Sequence, residues 1–273
     1  MKFLKPNGIS DYELPSNLLG TGEEFSLIHS SMWSPQVASE LAGCWSCDLD
    51  PSEILRTIQD GKAETVLQSE PPDFPQDVQA WVDLRREKAR YFERPLETLL
   101  CQGEDFKTIA VSSAGEKTSV RLEVEGYASA HGNQSCVDSA MALFEELFMN
   151  ALIDAPREAA KHGRAGATTA MFHMGIDERR LGLACVDPHG SLDLGKLLNR
   201  MRDVYARGAG KAINLREPGG AGLGCVMMLE HSSLLTFGVQ KNRATAVSCL
   251  IPRHLSNRRK AELKKSFHVL VME

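Results

Sequence analysis

Glu146, Asn150 and Asp154 recur at four-residue spacing, so on a helix they share one face. A carboxylate beside an amide oxygen can position a water and ligate one Mg²⁺, an ion that takes oxygen ligands and keeps waters and substrate phosphates. The same spacing also describes the solvated face of any amphipathic helix. A second group is the apolar run Leu183-Ala184-Cys185-Val186 ending in Asp187, followed by Pro188-His189-Gly190-Ser191-Leu192. A carboxylate at a strand end can accept a hydrogen bond from an exocyclic amine, and a neighbouring glycine lets the backbone approach a ring closely. Asp, Pro and Gly are equally the residues of an ordinary turn. The third group is Gly219-Gly220-Ala221-Gly222-Leu223-Gly224, leading into Cys225-Val226-Met227-Met228-Leu229. Unobstructed amides at a helix N-terminus, with the positive end of the dipole, suit a phosphate. Position 225 is Cys where the dinucleotide fingerprint needs Gly, residues 214–218 are polar rather than strand-like, and no Gly-Lys-Ser/Thr follows, which excludes the P-loop as well.

The elements around these groups follow from periodicity and turn chemistry. Ser135 followed by Asp138 resembles a capping box, and Val137, Ala140, Met141, Phe144, Leu147, Phe148 and Ala151 then trace one helical face to about Asp154, where Pro156 is expected to stop the helix. Strands are predicted over Thr168 to Met174 and Leu181 to Val186, a helix over Asp193 to Tyr205, a helix after the glycines, and closing strands over Leu234 to Gln240 and Ala244 to Ile251. Upstream, Lys107 to Val111 and Ser119 to Val124 read as a hairpin around Ala114-Gly115-Glu116. A single helix is expected from Gln76 to Leu100, kinked or ended at Pro95. The first seventy residues suggest a small α/β unit: strands at Phe25 to His29 and Ala63 to Leu67, and a helix opened by Asp50-Pro51-Ser52-Glu53 and closed at Gly61. Its function is not legible. Residues 69–75, with three prolines, read as a linker.

Glu-x-x-x-Asn on a helix, a strand ending in Asp with a glycine turn, and Gly-x-Gly-Leu-Gly opening a helix, in this order, resemble the N, G1 and G2 boxes of the GHKL ATP-binding superfamily, which includes Hsp90, gyrase B, MutL, sensor histidine kinases and anti-sigma-factor serine kinases. The resemblance covers about Val120 to Pro252 and extends to Arg243-Ala244-Thr245, similar to the family's Gly-Thr. It implies an α+β fold, a two-layer α/β sandwich of the Bergerat type in the C-terminal half, with ATP between helices and a mixed sheet. By that likeness Asn150 ligates Mg²⁺, Glu146 stands where catalytic members carry the general base, and Asp187 holds the adenine amine. Gly190 belongs to the G1 turn, Gly220, Gly222, Leu223 and Gly224 line the triphosphate, and Thr245 sits near the adenine. Residues 207–218, with Lys211 and Arg216, correspond to a mobile lid. The G1 box departs from Asp-x-Gly-x-Gly, because His189 stands at its first glycine and Gly190 comes one place late. An imidazole there is expected to crowd the adenine edge.

Four segments follow: a small α/β domain over 1–70, a Pro-rich linker and connector helix over 71–104, the GHKL-like domain over 105–255 and a basic C-terminal tail over 256–273. Neither His29 nor His131 lies in a helical His-Glu context, so the chain does not read as a self-contained histidine kinase, and few residues follow Pro252, where gyrase, MutL and Hsp90 carry transducing domains. The layout is similar to anti-sigma-factor serine kinases: a signalling regulator that binds ATP and Mg²⁺ and phosphorylates a protein partner on Ser. The alternative is a degenerate nucleotide-sensing module that acts as a scaffold.

Composition sets the outer bounds. A chain of 273 residues with 42% hydrophobic and 25% charged residues can bury a sizeable core. A net charge of −5 argues against nucleic acid as the main partner. The basic run Arg258, Arg259, Lys260, Lys264 and Lys265 reads as a solvated helix face. No apolar stretch is long enough to span a membrane and the N-terminus has no signal-like apolar run. Seven scattered cysteines suit a reducing cytoplasm, and Cys44-Trp45-Ser46-Cys47 lacks the second pair a zinc site needs. The charged stretch from Leu84 to Phe92 can serve as a homodimer or partner helix, or as a packed connector.

Overall fold

Along β7 (Arg180–Asp187), Leu181, Leu183 and Cys185 join one buried cluster while Ala184 and Val186 join another. That period of two means the strand is covered on both faces. A computed structural model describes residues 2–5, 7, 12, 26–32, 42–46, 48–60, 63–69, 73–100, 102–164, 169–207 and 221–272. Its strands are β1 (Lys2–Leu4), β2 (Ser26–His29), β3 (Ala42–Trp45), β4 (Thr65–Leu67), β5 (Glu104–Val111), β6 (Ala170–Ile176), β7, β8 (Leu234–Gln240), β9 (Ala244–Pro252) and β10 (Ser266–Met272). Together they form one ten-stranded sheet in the order β1-β2-β3-β4-β10-β8-β9-β7-β6-β5. β1 to β4 are parallel, β10 is antiparallel to β4 and parallel to β8, and β8, β9, β7, β6 and β5 are antiparallel neighbours. The α+β expectation holds at the level of class: helices pack on a mixed sheet.

The main core lies on one face, under α1 (Pro51–Gln59), α5 (Lys117–His131), α6 (Gln134–Met149), α8 (Leu194–Arg207) and α9 (Ala221–His231). α2 (Phe74–Arg86), α3 (Lys88–Glu93) and α4 (Pro95–Leu99) cover the other face. The single connector helix is therefore corrected to three short ones, and the expected two layers become three. Small residues make room for this third layer: Gly182 faces Leu96, and Gly238 faces the Tyr91 ring. The Tyr91 hydroxyl, buried with that ring, is satisfied by Ser248 Oγ at 2.9 Å.

Other differences have local causes. Ser119 to Val124 belongs to α5, not to a strand, because Val120, Val124, Tyr127 and Ala128 are buried at helical spacing and Glu116 accepts the Ser112 and Ser113 N–H groups at 3.0 and 2.9 Å ahead of the helix. The cap of α6 is Asn133, whose side chain accepts the Cys136 N–H at 3.0 Å, and not Ser135. Pro156 does not end the helical run. A π turn at Asn150–Asp154 leads into α7 (Ala155–Lys161), with Pro156 in its first turn. A regular helix would drive the proline ring into the carbonyl four residues back, and the wider π turn takes up that conflict. The expected tail is α10 (Asn257–Glu262) followed by β10, which sits mid-sheet between β4 and β8 and joins the parallel strands of the first seventy residues to the antiparallel ones. Nor is the basic run all solvated. Lys260 Nζ donates to Ser135 O at 2.6 Å and Ser139 Oγ at 3.0 Å, and buried Lys265 Nζ donates to Glu230 O at 2.8 Å and Ser232 O at 2.9 Å at the end of α9.

At α1 the sequence reading holds in detail. Asp50 Oδ1 accepts the Glu53 N–H and Glu53 Oε2 accepts the Asp50 N–H, each at 2.9 Å, which brings Ile54, Leu55 and Ile58 into the core. Asp50→Ala is expected to cost about 1 kcal/mol, read as a lower urea midpoint with an unchanged slope. An unchanged midpoint would mean that packing on α8 alone fixes the helix. Gly61 lies outside the described residues. Among the described residues no helix is long and apolar enough to cross a membrane.

Candidate functional site

β7 and β9 pair antiparallel with Asp187 opposite Thr245, so a residue just past the first motif and one near the last meet at one end of the sheet. α6 and its π extension lie over that end. The result is a cavity of about 400 Å³ whose lining includes Asn150, Asp187 and Thr245, three positions far apart in the chain. Leu197, Phe237 and Val247 form apolar walls with the thiols of Cys185 and Cys225. Asn150 opens the π turn, and Ala151 and Asp154 from the same turn also line the cavity. Such turns redirect side chains and recur at functional sites.

Asp187 is 6% exposed. Its Oδ1 accepts the His189 N–H at 2.9 Å. Burial pushes its carboxyl up to about 6, against the opposing pull of the His189 and Gly190 backbone amides and the Thr245 hydroxyl. Thr245 Oγ1 is buried and close enough to act on Asp187, yet outside hydrogen-bonding geometry with any described group. A buried orphan hydroxyl beside a buried carboxylate on a cavity wall is the arrangement a polar ligand edge would satisfy.

His189 does not occupy the cavity. Its side chain is buried, and it is absent from the residues lining the space. Arg164 holds the turn from behind: Nη1 donates to the His189 carbonyl at 3.4 Å and also to Asn242 Oδ1. The imidazole expected to crowd an adenine edge thus lies off the described lining. Gly190 serves a different need from the one expected. Its φ is +54°, and a Cβ there would strike the Gln240 carbonyl and the Asn242 and Arg243 amides, so it lets the loop close on the β8–β9 turn, where the Asn242 N–H donates to Gly190 O at 3.1 Å.

Glu146 stands beside the cavity and not on its described lining. Its carboxylate packs on Gly224 in the first turn of α9, where any Cβ would collide with it. Burial, then Asp154 and Glu145, raise its pKa. Gly224 thus permits close approach of α9 to α6. Leu223 is half-buried and is not on the cavity lining, and Gly222 lies in the same first turn. Gly220 and the lid residues 208–218 lie outside the described residues.

Charged residues outside the three motifs complete the rim with Asp154. Arg157 pairs with Asp154 at 3.5 Å, Lys161 with Glu158 at 2.7 Å and Lys196 with Asp193 at 3.1 Å, all around the opening, where Arg200 joins them. Exposed pairs of this kind contribute about 0 to 1 kcal/mol each, so an anionic ligand can take over the cations at small cost. Their spacing on α7 and α8 was visible in the sequence, but nothing local tied the two helices to one opening. Among the described residues, no group of three or more His, Cys, Asp or Glu side chains could hold a metal ion. The described cysteines Cys44, Cys136, Cys185, Cys225 and Cys249 are all free and buried, and Cys47 lies outside the described residues. Compared with known proteins, the chain matches no family model and shows no significant similarity to a curated sequence.

Proposed function

We propose that the cavity binds ATP with Mg²⁺ and that the chain is a cytoplasmic signalling regulator of the GHKL, histidine-kinase-like type, with a Bergerat arrangement of helices over the antiparallel strands, phosphorylating a partner protein on Ser. The observation that carries this reading is the convergence of Asn150, Asp187 and Thr245 on one cavity. Asp187 accepts the base amine, the Thr245 hydroxyl finds its missing partner on the ring edge, and Phe237, Val247 and Leu197 exclude water from the ring faces. The rim cations hold the phosphates. Among the described residues no side chains form a metal cage, so Asn150 would supply an oxygen ligand to an ion that arrives with the nucleotide. When bound, Mg²⁺ neutralises charge on the phosphates being transferred. Glu146, with its raised pKa, accepts the proton of the attacking hydroxyl.

A second reading, a nucleotide-holding module that acts only through partners, is favoured by the position of Glu146 against Gly224 and off the described cavity lining. Calorimetric titration with ATP and Mg²⁺ tests what the two readings share. Saturation at a hundredfold over Kd adds about 2.7 kcal/mol of stability, and Asn150→Ala and Asp187→Ala are each expected to remove the binding. No heat at millimolar ATP would sink both readings. Binding without phosphoryl transfer to any protein, in wild type and Glu146→Ala alike, would leave only the second.

A further inference from the structure

β2 and β3 run parallel, so their carboxyl ends, His29 and Trp45, reach the same edge of the sheet. Because β4 is antiparallel to β10 and β10 parallel to β8, that edge is opposite to the one where Asp187 and Thr245 meet. In open α/β sheets the edge at the carboxyl ends of parallel strands is where ligands bind. Here it carries a cluster of hydroxyl, imidazole and carboxylate groups that the nucleotide reading does not use.

His29 is 8% exposed and stands edge-on to the Trp45 ring with centroids 4.5 Å apart. Its Nδ1 receives the Ser31 backbone N–H at 3.3 Å and lies 2.8 Å from Ser31 Oγ. A backbone N–H can only donate, so Nδ1 is the bare nitrogen and the proton of the neutral ring is on Nε2. The Ser31 hydroxyl therefore donates to Nδ1, and its oxygen lone pairs are left to solvent, where Ser31 is exposed. Burial lowers the His29 pKa against the opposing Asp48 charge, which favours the neutral ring, with Nδ1 unprotonated. The turn is held from below: Ser30 Oγ donates to Ser46 Oγ at 3.1 Å, and Ser46 Oγ donates to Asp48 Oδ1 at 2.7 Å. A hydroxyl hydrogen-bonded to a fixed, unprotonated imidazole is the geometry of an activated nucleophile.

We propose that Ser31 is a nucleophile, with His29 as its base, that accepts an acyl group from neutral carboxylic esters. Among the described residues the charge acting on the imidazole is the Asp48 carboxylate, which repels a phosphate donor and tolerates an uncharged ester. Met32, beside Ser31, is exposed and offers apolar surface to such a substrate, while the buried Trp45 and Phe74 rings pack beneath the turn and hold it in place. Ser31 Oγ attacks the acyl carbon and its proton passes to His29 Nδ1. The ester C–O bond then breaks, and the leaving alkoxide takes that proton. Water, giving a proton to His29 Nδ1, then attacks the acyl carbon, the Ser31 Oγ–acyl bond breaks, the carboxylic acid leaves and the proton returns from His29 to Ser31 Oγ. The site is independent of the nucleotide cavity.

The test is acylation of the full chain by p-nitrophenyl acetate, followed by peptide mapping and release of p-nitrophenol. One acetyl group on Ser31, in preference to the exposed Ser112, Ser113 and Ser119, is expected. Ser31→Ala should slow p-nitrophenol release by roughly a hundredfold. The exposed side chain makes that variant safe for folding. His29→Gln should abolish the preference for Ser31. Acetyl groups on lysines with Ser31 untouched, or a wild-type rate in Ser31→Ala, would overturn the proposal.

Discussion

Arg180→Ala is expected to destabilise the fold by about 3 to 5 kcal/mol, the largest single effect we anticipate. Arg180 is 2% exposed and pairs with two buried carboxylates. Its Nε and Nη2 reach Asp177 Oδ2, each at 2.9 Å, and Nη1 reaches Asp77 Oδ1. Burial alone would pull the guanidinium pKa down, but Asp77 and Asp177 more than offset it. The pair links α2, in the third layer, to the turn between β6 and β7, and Asp177 also accepts the Arg179 and Arg180 N–H groups at 2.9 and 2.6 Å. Truncating the arginine leaves two carboxylates buried without their cation. Neutralising one of them should return part of the loss, so Arg180→Ala combined with Asp77→Asn is expected to be more stable than Arg180→Ala alone. Urea midpoints of the three proteins decide it. A double variant no better than the single one would show that the stability comes from arginine packing and not from charge compensation.

That ion cluster also marks where the sequence stops being legible. Asp77 and Arg180 are 103 residues apart, and no local pattern joins them. Where a signal is local and complete, as in Asp50-Pro51-Ser52-Glu53 or the apolar runs of β6 to β9, the elements appear close to where the sequence places them. Ser119 to Val124 misleads because Val120, Leu122 and Val124 alternate like a strand over a short window. Leu122 is exposed, and the 3.6-residue period emerges only when Tyr127 and Ala128 are included. Ser266–Met272 was hidden by the basic residues ahead of it, and its alternating Phe267 and Val269 fill the core between two halves that composition alone would separate. At the candidate site, the resemblance to known boxes brought out Asn150, Asp187 and Thr245, while the cross-strand register and the π turn that unite them are long-range facts. Gly190 shows the opposite case: the residue type was noticed for a ligand, and the φ of +54° shows that a neighbouring hairpin demands it.

Asp187→Asn is expected to stabilise the protein while abolishing nucleotide binding. Burial holds the Asp187 carboxyl at about 6 against a reference of 3.8, and at about 1.4 kcal/mol per unit its ionised form costs the fold about 3 kcal/mol at neutral pH. The sign follows from proton uptake. Above pH 6 the group is charged in both states and the folded state bears the penalty. As pH falls through 6 the folded protein binds the proton first, and stability from this group rises until the unfolded chain is protonated near 3.8. Asparagine keeps an oxygen for the His189 N–H and never carries the charge. The variant should therefore exceed wild type by about 1 to 3 kcal/mol at pH 7.5, the lower bound allowing for a buried amide that must find partners. The gap should close by about pH 4 as the wild-type carboxyl takes up its proton. In the same range ATP affinity of the wild type should fall, because a protonated carboxyl no longer offers a full acceptor to an amine. Urea unfolding of both proteins from pH 7.5 to 4, with ATP titrations at each end, separates the two claims. A variant less stable than wild type at pH 7.5 would mean that Asp187 is held by interactions worth more than its burial costs, whereas a stabilised variant that still binds ATP would remove Asp187 from the site. An amine donating to the ionised carboxyl would offset the burial that raises its pKa, so stability and ligand binding are expected to oppose each other at this residue.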